Sequence, residues 1–243
     1  MGAARGLRVT RAAEIADAMG IPVIALPRSR ERMGLATRVV AARQGPEAEA
    51  LRSLRSGLRL QSRGRIARLV LFAAPEAGHG ATTISAAFAR VAAMDGLKVL
   101  LVEGNLRQPG VADTLDVDPG PGLTAATEGA LSWRQAIRPD PEVPLLDLLL
   151  AAEPHGSSRR VLESVRFQNL LAEAADDYNL VVLDSAPVSA AADFLVLAPI
   201  AEAAVIVVKA GAVRIEEVAA ALGQIGAANA RAATAAVVNE ASP

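Results

Sequence analysis

Three short segments hold the residues best able to do chemistry. The first, A-P-E-A-G-H-G-A-T-T at 74–83, joins an apolar run to an alanine-rich one. Small residues there let backbone N–H groups curl around an anion, and the next helix N-terminus adds partial positive charge. Gly78, His79, Gly80, Thr82 and Thr83 are therefore candidate phosphate-binding residues, and the Thr82 hydroxyl stands where it can ligate Mg²⁺. A phosphate-binding loop places a lysine directly before that hydroxyl, but position 81 is alanine. A Gly-x-Gly turn ahead of a helix also serves tight packing alone. The second segment is L-L-V-E-G-N-L-R-Q-P at 100–109 and the third V-V-L-D-S-A-P-V at 181–188. Asp184 ends an apolar run, a placement suited to a metal-bound water and also to capping the next segment. A protonated His79 would partly replace the missing lysine, binding phosphates better below its ordinary pKa of about 6.5. The plainer reading makes it an exposed loop side chain. His155, in a Pro/Gly/Ser stretch, reads as surface.

These segments need elements to position them. Apolar runs at 66–74, 97–105, 143–152, 179–187, 203–211 and 231–240 read as strands, and 21–27 as extended. Helical patterns fall at 10–19, from Pro46 onward, after residue 83, around 132–139, at 159–177, in AADFLVLAPIA and after Arg214. Leu51, Leu54 and Leu58 make one apolar stripe on the helix that begins at Pro46. Near-continuous apolar strands alternating with helices predict an α/β fold, a mostly parallel sheet covered by helices on both faces. Ligands in such a sheet sit at the C-terminal strand ends, where all three segments fall.

Composition removes several chemistries. The 243 residues include no cysteine and only two histidines, which excludes disulfides, thiolate nucleophiles and multi-histidine metal sites. No apolar run reaches the ~18–20 residues that cross a bilayer, and the N-terminus lacks a secretory apolar core. A cytoplasmic protein is expected. Residues 1–68 hold fourteen arginines, no lysine and five acids, a net +9, against −10 for residues 69–243. A basic N-terminal arm at 1–46 would meet an anionic partner or membrane surface, or stay solvated. It has no aromatic ring to stack on bases, so no nucleic acid is expected.

The order of these blocks resembles the bacterial tyrosine kinase family of the CpsD/CapB type. The family runs E-A-x-R-x-L-R, then G-x-G-K-[ST]-T, then L-[IL]-D-x-D-L-R-x-P, then a strand ending D-x-P-P. This chain has E-A-L-R-S-L-R at 49–55, G-H-G-A-T-T at 78–83, V-E-G-N-L-R-Q-P at 102–109 and L-D-S-A-P at 183–187. The resemblance covers roughly residues 47–240 and implies a P-loop NTPase-like kinase-type domain at 47–243, with a sheet like that of MinD/ParA ATPases. It implies ATP or ADP and Mg²⁺ as cofactors, with Thr82 and Asp184 at the metal. It further implies a membrane polysaccharide co-polymerase as partner, at the inner face of the membrane. Glu49, Arg52 and Arg55 fall on the family's subunit-packing motif and imply a homo-oligomer; pairing of Glu49 with Arg52 within the helix is the plain alternative.

The departures from the family are Ala81 for the loop lysine, and Glu103 and Asn105 for two aspartates that hold Mg²⁺ and accept the tyrosine proton. A lost charge-assisted hydrogen bond removes about 1.5–3 kcal/mol, and a displaced carboxylate spoils in-line geometry. The lone tyrosine, Tyr178, reads as a packing residue, and no tyrosine cluster follows the last strand as in the family. The expectation is a pseudoenzyme regulating exopolysaccharide or capsule export. The alternatives are an enzyme working slowly through His79, Glu103 and Asp184, and a partitioning-type ATPase.

Overall fold

The computed structural model describes residues 8–29, 31, 33–62, 64, 67–154, 156–190 and 192–241. His155 lies outside them. The chain opens with α1 (Ala12–Met19), β1 (Val23–Pro27), α2 (Leu35–Ala41) and α3 (Pro46–Gln61). Next come β2 (Leu69–Ala73), α4 (Ala81–Met94), β3 (Val99–Glu103), α5 (Val111–Leu115), α6 (Gly122–Glu128) and α7 (Trp133–Ala136). Beyond them lie β4 (Arg138–Pro139), β5 (Leu146–Leu149), α8 (Ser158–Leu162), α9 (Val165–Asp177) and β6 (Leu180–Asp184). The last elements are α10 (Ala192–Leu197), β7 (Ala203–Lys209), α11 (Ile215–Ala228) and β8 (Ala233–Ala241).

The strands form one eight-stranded sheet in the order β1-β8-β7-β2-β6-β3-β5-β4, parallel except for β4 against β5. Alternation along each strand divides its side chains between two cores. Leu69 and Leu71 of β2 face the core of α1, α9, α10 and α11, whereas Val70 and Phe72 face that of α2, α3 and α4. Both faces being covered explains why the strands read as unbroken apolar runs.

Four local features depart from the sequence expectation. Residues 35–41, which carry no clear periodic pattern, form α2, which packs on α4. Residues 159–177 are two helices, because the Ser164 hydroxyl accepts from the Phe167 N–H and starts α9 anew. The stretch after Ser132 keeps a single helical turn before Arg138 and Pro139 pair with β5. Within the segment expected as an arm, β1 is the edge strand beside β8, and α1 packs against β1, β8 and α11.

Chain crossings place the site. The loop leaving β2 lies between β6 and β7 at mid-sheet, where successive connections turn to opposite sides. Such a switch point opens a crevice at the carboxyl ends of the strands.

Candidate functional site

The loop at 74–80 leaves β2 and turns into α4 through Gly78 (φ 83°) and Gly80 (φ 92°). A Cβ at Gly80 would stand 2.5 Å from Asn239 Nδ2, so the loop lies directly on the end of β8. Asn239 Nδ2 donates to the His79 carbonyl at 3.1 Å and pins it there. Gly80 caps α4 without a side-chain acceptor, leaving the first helical N–H groups for an anion.

Beneath Thr82 lies Asp184, fully buried at the end of β6. Thr82 Oγ1 donates to Asp184 Oδ2 at 2.8 Å and Ser85 Oγ to Oδ1 at 3.2 Å. Burial, reinforced by the charge of nearby Glu103, pushes the Asp184 carboxyl up from its ordinary 3.8 to about 7, against the pull of both hydroxyls. Ser85 escapes the motif reading; a serine three residues after Thr82, in an otherwise alanine-rich helix, was the available signal. Thr82 and Asp184 are hard oxygen donors side by side, a pair that fits Mg²⁺ together with waters.

Glu103 is the next strand's counterpart, paired in register with Asp184. Its carboxylate is fully buried and occupied. Oε1 accepts from Gly110 N–H at 2.6 Å and Val111 N–H at 2.8 Å, and Oε2 from Ala151 N–H at 2.9 Å. Burial raises its pKa, and the three backbone donors oppose that shift. Glu103 thus clamps the loop after β3 to the end of β5. The extra methylene carries the carboxylate into backbone structure, a larger displacement than the change of residue type alone implies. Gly104 follows because a Cβ there would meet the Asp184 carbonyl at 2.9 Å. Asn105 is nearly buried, and its Oδ1 accepts only a long 3.4 Å bond from Gln108 N–H.

A cavity of about 240 Å³ gathers Gly78, His79, Gly80, Ala81, Thr82 and Asn105. Thr83 faces a different cavity, on the β8 side of the loop. His79 is not an exposed side chain: it is 6% exposed, and its Nδ1 is buried with no hydrogen-bond partner among the described residues. Burial lowers its pKa, so the ring is neutral at pH 7 and brings no positive charge to the loop. Arg107 Nε donates to buried Asp193 at 2.8 Å, and Ser158 Oγ donates to the same oxygen at 2.7 Å. That arginine ties the loop after β3 to α8 and α10, a role its place in L-R-Q-P did not disclose.

The triplet Glu49, Arg52 and Arg55 lies elsewhere. Arg52 and Arg55 converge on Asp95 at the C-cap of α4, at 2.9 and 2.6 Å, and Arg52 also pairs with Glu49. Fourteen helical residues at ~1.5 Å each put this cluster roughly 20 Å from the loop. The two arginines are engaged within their own chain, and Glu49 is the more exposed member. Tyr178 is buried and donates to Asp147 Oδ2 at 2.7 Å; burial holds its phenol well above its ordinary range.

Known proteins resemble this chain in sequence and in fold. No family model matches the chain. The tyrosine-protein kinase YwqD of Bacillus subtilis (strain 168) is 30% identical over 171 residues, 70% of this chain and 72% of that protein. The chain belongs to the bacterial tyrosine-kinase family. The succinoglycan biosynthesis transport protein ExoP of Rhizobium meliloti (strain 1021) is 28% identical over 71% of this chain, which spans only 22% of ExoP's length. Among solved structures, the chimerical protein CapA2B2 superposes with a TM-score of 0.86 at 21% identity, covering 96% of this chain and all of that one. The MinC:MinD complex of Aquifex aeolicus matches at 0.58 and 21% identity, over 71% of this chain and 68% of that one. These last two likenesses show the fold, a mostly parallel sheet covered by helices on both faces. Among the described residues, no helix is long and apolar enough to cross a membrane.

Proposed function

We propose that this chain is a non-catalytic member of its family, a regulator of exopolysaccharide or capsule polymerisation and export that acts with a membrane polysaccharide co-polymerase. One observation carries the reading. Where phosphoryl transfer needs a loop cation and a free carboxylate, position 81 is alanine and Glu103 is consumed by three backbone N–H groups. Charge developing on a transferred phosphoryl group would meet neither.

Nucleotide retention is compatible with this loss. The backbone of 78–83 would hold phosphates, and Thr82 with Asp184 would hold Mg²⁺, whose chemistry is to neutralise phosphate oxygens. The likeness to ExoP, a succinoglycan biosynthesis transport protein, supports the link to exopolysaccharide. Glu49, exposed beside Arg52 and Arg55, supports contact between copies of the chain through α3. Deleting the gene and measuring polymer yield and chain length by light scattering tests the role. A changed polymer, restored by the wild-type chain, is expected, and an unchanged polymer contradicts it.

A further inference from the structure

Strand β7 runs three residues beyond its last pairing with β2, Ala73 with Ile206, and so ends beside the phosphate loop rather than below it. Its final residue is Lys209. Lys209 sits in register with Asn239 of β8, the residue whose amide grips the His79 carbonyl. A polar cavity of about 430 Å³ opens here, lined by Gly78, Gly80, Thr83, Lys209, Asn239 and Glu240. It shares Gly78 and Gly80 with the smaller cavity over Thr82, so one ligand lying along the loop would touch both.

The charges on this wall are arranged around one carboxylate. Lys209 Nζ stands 2.8 Å from Glu240 Oε1, and Arg28 Nε stands 3.8 Å from Oε2. Glu240 has φ 54°, one of two non-glycine residues with positive φ among those described. Strained backbone of this kind collects at ligand sites. Arg38, also on the wall, is already bound to Glu47 and the Met33 carbonyl; of the two cations left facing Glu240, Lys209 makes the close 2.8 Å contact from the end of β7, and Arg28 stands farther off at 3.8 Å, with its side chain largely in solvent.

We infer that Lys209 supplies, from β7, the positive charge toward a bound nucleoside polyphosphate that the loop lacks at position 81, with Glu240 as its counter-ion until the nucleotide arrives. This goes beyond the regulatory reading, and it accounts for binding without transfer. The Lys209 cavity contains Thr83 but none of Ala81, Thr82 or Asn105, which line the other side of the loop. A cation there neutralises the ligand without reaching the side where Asp184 and the metal chemistry lie.

Calorimetry on the purified chain, with ADP, with ATP plus Mg²⁺, and with inorganic tripolyphosphate, tests the assignment. Wild type is expected to bind, Lys209→Gln to bind at least tenfold more weakly, Lys209→Arg to keep most affinity, and Glu240→Gln to bind more tightly. Thermal melting checks that each variant is folded; Glu240→Gln keeps the test open should Lys209→Gln not fold. Wild type without detectable binding, or Lys209→Gln within twofold of wild type, overturns the inference. Transfer of labelled phosphate, read in the same samples, bears only on the regulatory reading.

Discussion

Glu103 and Asp184 stand in register on neighbouring strands, yet they do opposite work. Glu103 spends its charge on three backbone N–H groups, and each charge-assisted bond of that kind contributes about 1.5–3 kcal/mol. Glu103→Asp, which restores the family residue, cannot span the same three donors and is expected to destabilise the fold by about 2 kcal/mol or more, measured by urea unfolding. Equal stability would mean the clamp is dispensable. Asp184 has two hydroxyl partners and, among the described residues, no cationic side chain paired with it. Its pKa of about 7 in the folded chain lies above the ordinary 3.8, so the native state binds the proton more tightly than the unfolded chain. Its contribution to stability is therefore highest below about pH 4 and is lost as pH rises through 7. In chelator, Asp184→Asn should be more stable than wild type at pH 8, with the gap closing by pH 5; a gap independent of pH contradicts this. The sequence revealed Thr82 and Asp184 because their types and their places at strand and helix ends carry the chemistry. It did not reveal where the Glu103 carboxylate goes, because the N–H groups of Val111 and Ala151 come from the start of α5 and from just beyond β5, brought together only by the sheet order.

At the scale of elements, α4 runs from the loop back to the N-terminal ends of the strands and holds a charge in its middle. Arg90 is fully buried, with Nε 2.9 Å from Asp140, Nη1 2.6 Å from Glu142, and a further bond to the Ala36 carbonyl. One side chain thus binds α2, α4 and the turn before β5. Removing one partner of a buried pair leaves the other charge uncompensated, at a cost of about 3–5 kcal/mol. Arg90→Met should lower stability by that order, while Arg90→Met with Asp140→Leu recovers part of it; additive losses in the double variant would refute the pairing. The helix itself was legible from I-S-A-A-F-A-R-V-A-A-M, but its buried arginine was not, since Asp140 lies fifty residues away. The break at Ser164 and the short β4 had local signals, a capping hydroxyl and a proline, that helical periodicity outweighed.

Across the whole molecule, the alternation of apolar runs and helices discloses the sheet, and the order of motifs discloses the family. The charge asymmetry is less transparent from sequence. Several of the first 68 residues' arginines are matched within the fold: Arg38 by Glu47, and Arg52 and Arg55 by Asp95. The basic excess is thus partly internal, and a screened surface attraction is correspondingly weaker. Asp95→Ala should therefore lower stability by about 1 kcal/mol by thermal melting, because two arginines lose their shared acid at a partly exposed site. On the proposed function, this sheet holds its phosphate loop without the means to transfer a phosphoryl group. Incubating the pure chain with Mg²⁺ and terminally labelled ATP tests it most directly. No labelled protein above the Asp184→Ala background is predicted, and none from Ala81→Lys alone, because Glu103 stays occupied. Labelling of wild type at roughly 1 s⁻¹ or faster, the range of working kinases, would make the chain an active kinase and overturn the proposed function.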